Sequence, residues 1–175
     1  MRILHSKRAR VAVGVLAAFA VAGAAYAYFT ASGSGTGSAT VGASSPLTVT
    51  GTVSGSLYPG TSNTVNFTAN NPSSGHQRLG TITLTGVHAC TGTGSSWNGT
   101  SCSNSGTEQT TCESFDTNAS STSDNFSMPN VVANQDLAPG NNQTVTTTGT
   151  LTMNDLSSSQ NSCQNANLTL SFTSS

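Results

Sequence analysis

Along residues 46–175, apolar side chains alternate with small polar ones, and no stretch sustains a helical period. Leu47-Thr-Val49-Thr-Gly51-Thr-Val53, Val65-Asn-Phe67-Thr-Ala69 and Ile82-Thr-Leu84-Thr each read as a strand with one apolar and one hydroxylic face. After Leu84 the phase slips at Gly86, so that Val87 is the next apolar residue, which predicts a β-bulge. Val145 to Met153 reads as one long strand and Leu168 to Phe172 as the last, while Thr110–Phe115 and Phe126–Val132 carry weaker patterns. About seven short strands separated by Gly, Asn, Ser and Pro predict an all-β, antiparallel β-sandwich. Two turns echo each other. Leu57-Tyr-Pro59-Gly60 and Leu137-Ala-Pro139-Gly140 both precede a strand, with Pro and Gly in the order a type II turn requires. They read as equivalent corners of two sheets.

The amino terminus has a different pattern. Arg2, Lys7, Arg8 and Arg10 precede an uncharged run from Val11 to Phe29, and Ala25-Tyr26-Ala27 supplies the small residues a signal peptidase accepts. The expected division is a signal peptide at 1–27, a Gly/Ser-rich leader at 28–45 and a sandwich domain at 46–175. A retained membrane anchor is the alternative for the first segment, with membrane contact confined to residues 11–29. Either way the remainder is exported, so the expected location is secreted or on the cell surface.

Composition narrows the chemistry. Ser, Thr, Asn and Gly fill more than half of the 175 positions, and only 6% of residues are charged. From Tyr28 onward Arg78 is the sole base beside six acids, which excludes a nucleic-acid partner whose phosphates need clustered Lys and Arg. Ser and Thr abound, but no motif positions a base beside them, so no catalytic residue, enzyme activity or cofactor is expected. His76 and His88 read as ordinary loop and strand-end residues. Glu108, Glu113, Asp116 and Asp124 gather in the long 91–125 connection without the spacing of a calcium loop, and read as solubilising charge.

Four cysteines in an exported chain predict disulfides. Cys90, Cys102, Cys112 and Cys163 contain no Cys-x-x-Cys and no neighbouring His pair, so no metal site is expected. A Cys90–Cys163 bridge would tie distant parts of the sandwich, with Cys102–Cys112 as a local staple. Trp97, the sole Trp, reads first as packing over a disulfide at the edge of the core, and second as a sugar-stacking ligand contact. Six Asn-x-Ser/Thr triplets, beginning at Asn66, Asn98, Asn118, Asn125, Asn142 and Asn167, are at chance level in such a composition.

Several segments carry a resemblance. Ala25-Tyr-Ala27-Tyr-Phe29-Thr followed by Ser38-Ala-Thr-Val-Gly42 resembles exported proteins with SipW-type signal peptides, of which the TasA/camelysin-like bacterial surface and biofilm-matrix group is one branch. Leu57-Tyr-Pro-Gly60 with Val65-Asn-Phe67-Thr-Ala-Asn-Asn71 is similar to that group's turn and following strand, and Cys163-Gln-Asn-Ala-Asn-Leu168-Thr-Leu170 resembles the closing strand of related secreted proteins. The resemblance implies an Ig-like or jelly-roll sandwich, a dedicated signal peptidase as export partner, and subunits joined when an extended segment, here about Tyr28–Val41, completes the sheet of another copy. The chain departs from the group in its brevity, its poverty in Lys and its four cysteines. Camelysin-like relatives are described as proteases, but no His-Glu-x-x-His occurs here. The expected function is therefore a non-enzymatic surface or matrix protein acting by self-association or contact with cell-envelope components. A secreted glycan- or envelope-binding module is the alternative.

Overall fold

The computed structural model describes Ser38, Val41 and residues 44–175. The signal or anchor segment with Ala25 and Ala27, and residues 28–37 of the leader, lie outside the described residues. Among those described, no helix is long and apolar enough to cross a membrane. Gly42–Ser175 forms a compact unit.

Ten strands run through it: β1 (Thr48–Val53), β2 (Thr61–Asn71), β3 (Gln77–Thr91), β4 (Thr107–Glu108), β5 (Phe115–Asp116), β6 (Phe126–Ser127), β7 (Val131–Leu137), β8 (Gly140–Thr144), β9 (Gly149–Met153) and β10 (Asn167–Ser174). Single 3-10 turns occupy Thr110–Cys112 and Asn161–Cys163. One sheet has the order β1-β2-β9-β6-β5, with β8 also on β2; the other has β10-β3-β4, with β7 also on β3. All pairings are antiparallel except the two-residue β5–β6 pair. The all-β reading holds, and the two sheets share one apolar core.

That core follows from the alternation. Val65, Phe67 and Ala69 of β2 point inward, as do Leu79, Ile82, Leu84, Val87 and Ala89 of β3, and they meet Phe126, Met128 and Leu151. The slip expected at Gly86 is a bulge: Gly86 faces Ser171 of β10 while Leu84 faces Phe172, leaving Thr85 as the extra residue. A second shift at Gly80, where the Gly80 N–H donates to the Ser175 carbonyl, returns Leu79 to the inner face. A strand of 15 residues thus keeps its apolar side chains inward through two changes of phase.

Other expectations are corrected. Val145–Met153 is not one strand, because β8 and β9 take successive lengths of the same β2 edge and the chain steps between them at Val145–Thr148. Thr110–Phe115 is a 3-10 turn followed by a two-residue strand. The two Pro-Gly turns differ as well. At Tyr58-Pro-Gly-Thr61 the Thr61 N–H donates to the Tyr58 carbonyl at 2.9 Å, and Gly60 has φ +77°, as a type II turn demands. Gly140 has φ +137° and joins β7 of one sheet to β8 of the other, so it turns a corner between sheets whereas Gly60 stays within one.

The disulfide pairing is corrected too. Cys90 bonds Cys102 and Cys112 bonds Cys163, with Cα separations of 5.7 and 5.2 Å, in place of Cys90–Cys163 and Cys102–Cys112. Register explains why. Asn167 lies opposite Cys90, so Cys163 falls beyond the end of β3 and cannot return to Cys90 without reversing the strand. It meets Cys112 instead, in a turn suspended below β3 by the Gln109 N–H to Ala89 carbonyl bond. Cys102 is brought back over β3 by an isolated bridge to Trp97.

Candidate functional site

Two features stand out on this framework. The first is a groove of about 640 Å³ between β1 and β10, lined by Gly51, Val53, Leu57, Leu168 and Leu170, with the buried Met153 at its base. Among the described residues β1 pairs only with β2, and β10 only with β3, so two unpaired strand edges border the opening. Their apolar residues are half-buried, unlike the fully buried ones of β2 and β3. The opposite rim is closed. There the β7–β8 corner crosses between sheets, and Gln135 clamps the neighbouring chain, donating to the Thr144 carbonyl at 2.9 Å and accepting from the Thr146 N–H at 2.8 Å.

The second feature lies on the outer face of β3. Val87 and Ala89 point into the core, so His88, like Cys90, takes the other face, and the 91–116 connection folds across it. The His88 Nδ1 stands 3.6 Å from Glu108 Oε1 and 3.8 Å from Glu113 Oε1. Glu108 sits on β4 directly opposite Cys90, and Glu113 follows the Thr110–Cys112 turn. Glu113 Oε1 accepts the Ala89 N–H at 2.9 Å, which holds that carboxylate in place. The Trp97 ring stacks on the imidazole with centroids 4.0 Å apart and planes 4° from parallel. His88 Nδ1 is buried yet has no hydrogen-bond partner among the described residues.

The candidate residues therefore part company. Trp97 is half-buried within the Cys90–Cys102 loop, its backbone bridged to Cys102, and its ring covers His88 on the outer face of β3 and is not part of the core cluster. His76 is exposed in its loop. Glu108 and Glu113 turn toward His88, but Asp116 and Asp124 do not join them. Asp116 accepts from the Asn118 side chain, and this bond, with the Asn118 backbone N–H, holds its carboxyl below the usual range. Asp124 accepts from the hydroxyls of Ser121 and Ser123.

The His88–Glu108–Glu113 grouping escaped the sequence reading because its members are 20 and 5 residues apart with no motif spacing. The available signal was parity: His88 and Cys90 share a face, so any bridge from Cys90 drags the acidic connection over His88. No protein-family model, curated protein or solved structure matches the chain.

Proposed function

We propose that this is an exported, non-enzymatic surface or matrix protein of the TasA/camelysin-like kind, with an Ig-like or jelly-roll sandwich that works by accepting an extended segment of another copy. The groove between β1 and β10 supports this reading. It offers two unpaired edges and a row of half-buried apolar residues, and neither strand carries a charged side chain. Sheet edges without charge are poorly defended against an added strand, whose main chain supplies affinity and whose alternate side chains fill pockets.

The occupant we assign is Tyr28–Val41 of a second copy, freed by cleavage after Ala27. Its 14 residues reach about 45 Å when extended, more than twice the length of β1 at about 3.3 Å per residue. Tyr28, Phe29 and Val41 supply apolar contacts at its ends. Two disulfides accord with folding in an oxidising compartment. The glycan-binding alternative at Trp97 is weakened because one face of the ring is already covered by His88.

Negative-stain microscopy and size-exclusion chromatography of the secreted protein test the proposal. Oligomers or fibres are expected from the wild type, and monomers from a form lacking residues 28–41 or carrying Leu168→Lys in the groove. Dispersed wild-type monomers at high concentration, or equal assembly by all three, would overturn it.

A further inference from the structure

The geometry points to a site for a divalent transition-metal ion, of which Zn²⁺ is the representative, at His88, Glu108 and Glu113. This goes beyond the proposed assembly and does not depend on it. One ligand atom from each residue lies within 4.8 Å of the other two. Bonds of about 2.1 Å from one ion to an imidazole nitrogen and two carboxylate oxygens place those atoms roughly 3.0–3.5 Å apart. The observed 3.6 and 3.8 Å separations from Nδ1 need only a few tenths of an ångström of contraction.

The buried Nδ1, with no hydrogen-bond partner among the described residues, is the strongest single indication. A buried acceptor or donor left unpaired is costly, and here two carboxylate oxygens stand 3.6 and 3.8 Å away. An ion between the three atoms would satisfy the ring nitrogen and separate the two negative charges. The supporting shell is also present. Trp97 fixes the imidazole plane, the Ala89 N–H fixes Glu113, and both disulfides lie next to the ligands, Cys90 two residues from His88 and Cys112 adjoining Glu113. Outer contacts of this kind orient metal ligands.

The donor set selects the class of ion. An imidazole nitrogen favours Zn²⁺ and its transition-metal neighbours over Ca²⁺ and Mg²⁺, which prefer all-oxygen sites. All four cysteines are in disulfides, so no thiolate is present to favour Cu⁺. Side-chain exposures of 28, 34 and 16% for His88, Glu108 and Glu113 leave an entry path and room for water as the remaining ligand.

The test uses the native protein with disulfides intact, freed of metal by EDTA and titrated calorimetrically with Zn²⁺. One ion per chain is expected, with saturation below about 0.1 mM, corresponding to a Kd well under the millimolar range. Millimolar Ca²⁺ should not compete. Because Trp97 is the sole Trp and stacks on the ligand ring, saturating Co²⁺ should quench its fluorescence. His88→Gln and the Glu108→Gln/Glu113→Gln pair should each weaken Zn²⁺ binding at least about tenfold. The Gln at 113 keeps an acceptor for the Ala89 N–H, and circular dichroism checks that the fold is retained. Absence of saturable Zn²⁺ binding, variants that bind like the wild type, or Trp97 emission unmoved by Co²⁺ would overturn the site, and the first and last need no variant.

Discussion

Asn71 shows how much one polar side chain contributes here. It ends β2 fully buried, donating from Nδ2 to the carbonyls of Gly75 and Leu137 at 2.9 and 3.0 Å. Its Oδ1 accepts from the Ser73 N–H and hydroxyl at 3.1 and 2.6 Å. One side chain therefore satisfies the turn into β3 and pins the end of β7 to β2. Asn71→Leu removes all four bonds and strands buried carbonyls, so a loss of about 2–3 kcal/mol is expected from urea denaturation. A change below about 0.5 kcal/mol would show that water replaces the amide. In the sequence Asn71 was visible only as one of several Asn residues in a strand-ending cluster. Its burial follows from β2 running two residues beyond the apolar alternation, with position 71 still on the inner face.

Among the elements, strands with a clean period of two were legible, and those shaped by their neighbours were not. β1, β2 and β10 match the alternation because each buries one face against the same core. β8 and β9 look continuous in sequence, and only competition for a single β2 edge divides them. The groove was illegible for a related reason, since it depends on how closely two non-consecutive strands approach. Gly51 sets that approach on β1. A Cβ there would lie 2.6 Å from Phe172 Cε2 and 2.9 Å from Val65 Cγ1, and the Phe172 ring is itself held edge-on against Phe67 at 5.3 Å. Gly→Ala in a strand commonly stabilises through backbone entropy. Gly51→Ala should instead destabilise by about 1–2 kcal/mol, because the crowded ring must move. A raised melting temperature for this variant would mean that β1 and β10 stand further apart than described.

At the scale of the whole molecule the two disulfides have unequal tasks. The Cys90–Cys102 bridge closes 12 residues and holds the Trp97 loop over the outer face of β3. The Cys112–Cys163 bridge spans 51 residues and joins the two 3-10 turns, and its Cys112 sulfur end is packed in the core. Chain entropy alone assigns the shorter loop about 3 kcal/mol and the longer about 4 kcal/mol. The structural difference is larger than that margin suggests. Between Cys112 and Cys163 lie β5 to β9, strands of both sheets, so opening this bridge frees the chain ends of most of the fold. Replacing both its cysteines with Ser also puts a hydroxyl in place of apolar sulfur at the fully buried position 112. Cys112→Ser/Cys163→Ser should therefore lower the melting temperature of the entire molecule, with tertiary and secondary signals lost together. Cys90→Ser/Cys102→Ser should spare most of the melting transition while shifting Trp97 emission at low temperature, because the stack on His88 is no longer held. Since His88 sits on β3 and Glu113 on the turn fixed by the other bridge, this second variant also separates the site from the scaffold. A cooperative collapse of the sandwich upon losing Cys90–Cys102, with Trp97 emission unchanged beforehand, would reverse the assignment of the two bridges.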